Sequence, residues 1–97
     1  MFPKYRDIEQ PLLDELERRG GKAKPSDRDN SGRSVYEALA DHFSLSKAER
    51  DETIMEHGTP RSKWENMVRY AVRSLRKTGA VAAHREHGVW ELGGSGR

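Results

Sequence analysis

The chain has no cysteine, which excludes a disulfide framework and a cysteine-ligated zinc site and suits a reducing compartment. It has no apolar run approaching the ~18 residues that a membrane-spanning helix needs. The opening stretch, Met1-Phe2-Pro3-Lys4-Tyr5-Arg6-Asp7, is not followed by the apolar segment of a secretory signal. Hydrophobic residues make up only 33% of the 97, against 35% charged. One domain with a small core is therefore expected, and its few apolar side chains must be well placed to fold it. There is no internal repeat. No Ser-His-Asp or Cys-His arrangement stands out. Gly20-Gly21 and the terminal glycines lack the Gly-x-x-x-x-Gly-Lys context of a phosphate loop. Neither an enzyme nor a cofactor site is expected in this chain.

What is present is an uneven charge distribution. The formal net charge is only +2. Between Pro60 and Thr78, however, Arg61, Lys63, Arg69, Arg73, Arg76 and Lys77 face Glu65 alone, a local net of +5. Between Asp41 and His57, five acids (Asp41, Glu49, Asp51, Glu52, Glu56) outnumber Lys47 and Arg50, a local net of −3. Such polarity points to an anionic partner for one surface rather than to uniform solvation.

Hydrophobic periodicity places the elements. Tyr5, Ile8, Leu12 and Leu16 form one stripe of a first helix over roughly 5–19. Pro11 either opens a fresh start capped by Gln10 or kinks that helix, and Gly20-Gly21 end it. Lys22-Ala23-Lys24 reads as a short edge strand against a later hairpin, and residues 25–32 as loop. Three Ser-x-x-Glu boxes, Ser34…Glu37, Ser46…Glu49 and Ser62…Glu65, mark three further helix starts. They predict helices over about 35–43, about 46–55 (the short one) and 60–78, with His57-Gly58-Thr59 as the turn into the last. Trp64, Met67, Val68, Ala71, Val72 and Leu75 give that last helix its apolar face. Ser62, Asn66, Arg69, Arg73 and Arg76 occupy the opposite face. After Gly79, the segments 81–83 and 89–92 flank His84-Arg85-Glu86-His87-Gly88 as a hairpin, with Gly88 free to take positive φ. Trp64 and Trp90 are expected in the core. Gly93 to Arg97 reads as a flexible tail or linker stub, so residues 1–92 would form the domain and the chain would belong to a longer protein.

The expected fold is thus α+β, mainly α: a winged helix-turn-helix with three main helices, a short one and a small β-hairpin wing. A helix that buries one side and shows arginines on the other, backed by a polar-tipped hairpin, suits double-stranded DNA. Its N-terminal residues Arg61, Ser62, Lys63 and Asn66 would read bases, since Arg or Lys pairs with guanine and Asn with adenine. Arg69 and Arg73, read as standing in line without acidic partners, would hold phosphates. Tyr70 lies on the helix flank, open to either core or ligand. Arg76 and Lys77, near the helix end, would serve its dipole. In the wing, Arg85 would meet the minor groove or backbone, with His84 and His87 adding charge as pH falls. Two histidines three apart, with no third ligand, do not make a metal site. From another class, a protein-interaction domain docking through the acidic 41–57 segment and the basic helix remains open. So does a transcriptional regulator.

The residues that carry a family resemblance are Pro11-Leu12-Leu13 before Gly20-Gly21, and Leu45-Ser46 through Glu49-Arg50. Trp64, Asn66, Val68, Ala71, Leu75, Lys77 and Gly79 follow, then Gly88-Val89-Trp90. In this order they resemble the N-terminal domain of Mrr-type restriction proteins, over most of the chain. Tyr70 stands where that family commonly has Trp, Met67 where it commonly has Arg, and residues 22–34 align poorly. The resemblance implies a winged helix that binds DNA for a separate C-terminal nuclease, often acting at modified DNA, in a prokaryotic cytoplasm. That nuclease would carry a Glu-x-Lys or Gln-x-Lys. No lysine here has Glu or Gln two residues before it.

Overall fold

The computed structural model describes residues 2–82 and 88–93. Its elements in chain order are α1 (Tyr5–Arg18), β1 (Lys22–Ala23), α2 (Val35–His42), α3 (Lys47–Asp51), β2 (Thr53–Glu56), β3 (Thr59–Ser62), α4 (Lys63–Thr78) and β4 (Trp90–Glu91). The protein is α+β and mainly helical, with α1 and α2 packed on α4.

Pro11 lies inside α1, which runs through it without a fresh start. The carbonyl deprived of a donor is that of Asp7, on an exposed turn open to solvent. Ile8, Leu12 and Leu16 on the same helix are fully buried. The helix closes as a Schellman motif. Gly21 N–H donates to Leu16 O at 2.8 Å and Gly20 N–H to Glu17 O at 3.1 Å, with both glycines at positive φ. The same closure ends α2. Leu45 N–H reaches Ala40 O and Ser44 N–H reaches Asp41 O, each at 3.0 Å. Here Ser44 takes the left-handed position (φ 54°) and Leu45 is buried beside Ala40.

The expected edge strand forms. β1 pairs antiparallel with β4, Lys22 opposite Glu91 and Ala23 opposite Trp90, and Val81 bridges to Leu92. Gly79, left-handed at φ 84°, ends α4 and turns the chain into this sheet. Gly93, expected to open the tail, is docked instead. Its N–H donates to Ala80 O at 2.9 Å, and a Cβ on it would lie 1.8 Å from the Gly79 carbonyl oxygen.

The core fills the space between α1, α2 and α4 and extends under the sheet through Val81 and Trp90. Trp64 and Trp90 are both buried, as their periodicity predicts. Trp64 Nε1–H donates to Tyr36 O at 2.8 Å, so its one polar atom is satisfied. Trp90 meets the Tyr36 ring edge-on at 5.7 Å.

The loop 24–34 is ordered by charge rather than by apolar contact. Asp29 Oδ1 accepts hydrogen bonds from the Ser31 hydroxyl and N–H and from Arg33 N–H. Its Oδ2 takes Arg18 at 2.6 Å. Arg19, almost buried, pairs with Glu15 at 2.6 Å and donates to the carbonyls of Asp27 and Arg33. Hydrogen bonds from Ser31 and Arg18 hold the Asp29 carboxyl well below the usual carboxylate range.

The largest departure from expectation lies between residues 52 and 62. The short helix stops at Asp51 rather than reaching Met55, and Thr59 to Ser62 is strand rather than the start of the basic helix. β2 and β3 form a hairpin with Ile54 opposite Arg61 and Met55 opposite Pro60. His57 (φ 53°) and Gly58 (φ 78°) make its two-residue turn. Both are left-handed, as a type I′ turn requires. Ser62 consequently ends a strand, opposite Thr53, while its hydroxyl accepts Glu65 N–H at 3.2 Å. The Ser34 and Ser46 boxes close in both directions. The Ser62 box closes in one, and the Glu65 carboxylate lies 3.7 Å from Arg69 instead.

Candidate nucleic-acid interface

Helix α4 divides as its sequence demands. Trp64, Met67, Val68, Ala71, Val72 and Leu75 are buried. Asn66, Arg69, Tyr70, Arg73 and Lys77 lie on the outer side, half-buried or exposed. The hairpin β2–β3 packs beside the N-terminal half of that outer side. It changes what the expected base-reading residues do. Arg61 is on β3, facing Glu56 at 3.6 Å. The Ser62 hydroxyl caps α4. Lys63 Nζ pairs with Glu52 at 3.1 Å and sits 4.6 Å over the Phe2 ring.

The middle of the helix is where the structure gathers the remaining expected residues. Asn66, Arg69, Tyr70 and Arg73, together with Glu56 of the hairpin, line one cleft of about 160 Å³. Tyr70 is 43% exposed, packs against Tyr5 at 5.5 Å, and carries the Arg73 guanidinium 5.1 Å from its ring centre. A cation over an aromatic face keeps its charge while its position is restricted. Among the described residues, Arg73 has no acidic partner within ion-pair distance. Arg69 is not unpartnered, as the sequence suggested: besides Glu65, it donates to the Tyr36 hydroxyl at 3.4 Å. Burial raises the Tyr36 pKa, and the Arg69 hydrogen bond only partly offsets this. The phenol therefore stays neutral and positions Arg69 from behind.

Arg76 turns away from this cleft toward Ala82. Its Nε–H donates to Ala82 O at 3.3 Å, and one terminal nitrogen is buried with no hydrogen-bond partner among the described residues. Burial lowers its pKa. Lys77 is exposed on the last turn of α4. His84, Arg85 and His87 lie outside the described residues. Gly88, at φ 78°, takes the positive φ expected of it.

Sequence reasoning missed Glu52, Glu56 and Tyr36 as neighbours of the basic helix. A signal for the hairpin was present: a His-Gly pair between Thr53-Ile54-Met55 and Thr59-Pro60-Arg61. The strong 3.6-residue period starting at Trp64 made it easy to extend the helix back through Pro60, a residue equally at home in a first helical turn.

A mainly helical α+β domain with a winged-helix-like arrangement, whose last long helix turns a basic side outward, is the class that this fold and surface define. The chain belongs to the Mrr N-terminal domain family, which matches residues 5–97. Membership associates it with restriction systems, as a non-catalytic N-terminal domain. No curated protein and no solved structure matched the chain. No helix among the described residues is long and apolar enough to cross a membrane.

Proposed function

We propose that this domain binds double-stranded DNA with the outer side of α4 and the wing, and so brings an attached or associated nuclease to its target. The observation that supports this most is the cluster of Asn66, Arg69, Tyr70 and Arg73 around one cleft, with Arg73 charged, exposed and held on an aromatic ring. Guanidinium groups fixed at a surface suit phosphate oxygens, and an amide beside them suits a base edge. In this reading the contact centres on residues 66–73, the later part of the 61–73 stretch that the sequence alone suggested. Lys63 already has a hydrogen-bonded carboxylate partner in Glu52.

The acidic 41–57 segment supports a protein-docking role less well. Three of its five carboxylates are spent internally: Asp41 on Arg33 and Arg50, Asp51 on Lys47, Glu52 on Lys63.

The test is fluorescence anisotropy with labelled duplexes, unmodified or bearing methylated cytosine or adenine. Arg73→Glu is expected to weaken binding to every duplex by tenfold or more, with an unchanged melting temperature. A preference of the wild type for one methylated duplex would extend the reading to modified DNA. Unchanged affinity in Arg73→Glu would remove α4 from the interface.

A further inference from the structure

Glu56 is out of place on a phosphate-binding surface. It ends β2, its side chain is 35% exposed, and it lines the same cleft as Asn66, Arg69, Tyr70 and Arg73. A carboxylate there repels phosphate, and an exposed ion pair contributes too little to explain it. Its geometry is also unlike that of most neighbouring acids; Glu65, 3.7 Å from Arg69, is as loosely paired but does not line the cleft. Asp41, Asp51 and Glu52 sit between 2.6 and 3.1 Å from their cations, within hydrogen-bonding range. Glu56 stands 3.6 Å from Arg61 Nε and accepts no hydrogen bond among the described residues. It is a carboxylate at a cleft, flanked by cations, with its acceptor capacity unfilled.

We infer that Glu56 is a base-reading residue, accepting a hydrogen bond from the exocyclic amine of cytosine or adenine in the major groove. The inference rests on the DNA-binding reading above and names the feature of the site that the cleft selects. Two DNA groups exposed in the major groove are amine donors, cytosine N4 and adenine N6. A carboxylate recognises such donors and rejects the oxygen and N7 acceptors of guanine and thymine. Asn66, on the same cleft, supplies an amide that pairs with adenine N6 and N7. Arg69 and Arg73 offset the repulsion between Glu56 and the flanking phosphates. The hairpin thus serves as a reading arm. It places an acid beside a basic helix where the helix alone would bind any sequence.

The test is selection from a pool of random-sequence duplexes by wild type, Glu56→Gln and Glu56→Ala, with binding to one unselected duplex measured alongside. The glutamine variant keeps size and fold while its added N–H₂ tolerates acceptor-bearing bases. Wild type should enrich cytosine or adenine at one fixed position, with about tenfold or greater discrimination. Glu56→Ala should lose that preference, and Glu56→Gln, whose amide pairs with adenine, should lose any preference for cytosine. They should also bind the unselected duplex about two- to fivefold more tightly, because one negative charge is gone. A Glu56→Ala variant that enriches the same motif as wild type, or a wild type that binds the pool with no preference at all, would overturn the inference while leaving DNA binding intact. Absence of wild-type binding to the pool at low salt would instead overturn the DNA reading, and this inference with it.

Discussion

At the scale of single residues, the molecule depends on a few side chains whose surroundings leave no slack. Trp90 is 5% exposed and packs between the small sheet and Tyr36. Its loss to alanine should cost ~3–5 kcal/mol. That is a large share of the stability of so small a domain, so Trp90→Ala should be largely unfolded at 37 °C by circular dichroism. A native-like melting curve would refute the packing described. Gly93 makes a subtler case. Gly93→Ala would place a methyl on the Gly79 carbonyl and should destabilise by about 1–3 kcal/mol, visible as a lowered urea midpoint. A midpoint equal to wild type would show that the backbone at 93 yields freely. The Trp90 environment was legible in the sequence, because alternation along 89–92 places it with Leu92 on the inward side. The Gly93 contact was not. It arises where the end of α4 and the last strand cross, a tertiary approach that no local pattern encodes.

At the scale of elements, the helices were legible through their own signals: serine caps on α2, α3 and α4, an apolar period in α1, α2 and α4, and glycine stops after α1 and α4. The hairpin β2–β3 was hidden, for an equally physical reason. Its strands are four residues each and follow a capped helix with no break in polarity. The same Ser62 serves as strand end and helix cap. One element carries an unused margin of stability. The α2–α3 turn holds Ser44 at φ 54°, where a side chain costs ~1 kcal/mol that glycine avoids. Ser44→Gly should therefore raise the melting temperature by a few degrees, and a lowered one would mean that the serine makes a contact worth more than the strain. The candidate site was half legible on the same grounds. Asn66, Arg69 and Arg73 followed from helical periodicity. The partners of Arg61 and Lys63 and the Tyr36 hydroxyl that positions Arg69 come from other elements, which periodicity within one helix cannot supply, whereas Glu65, four residues before Arg69 on α4, was open to that reading.

At the scale of the whole molecule, charge does two separate jobs. Near the N-terminal half it is structural. Asp29, Glu15 and Asp41 are all more acidic than in a free chain. Asp29 is held by Ser31 and Arg18, and Asp41 by Arg33 and Arg50. In Glu15, burial pushes upward but the hydrogen bonds of Arg18 and Arg19 prevail. Because the folded state binds these protons less readily than the unfolded chain, their stabilisation is complete above the ordinary carboxylate values of 3.8 and 4.5 and is lost as pH falls below them. The melting temperature should accordingly stay level from about pH 7 to 5 and fall steeply below about pH 4. A flat profile down to pH 3 would show that the network contributes nothing. Along α4 the charge faces outward and is the proposed functional surface. The central claim is that this surface meets DNA phosphates, and the most direct measurement is duplex affinity as a function of salt. The account predicts that log K falls linearly with log salt, with a slope of about −3 or steeper for three or more neutralised phosphates, and that Arg73→Glu reduces that slope by about 1. Affinity independent of salt, or a slope that Arg73→Glu leaves unchanged, would contradict it.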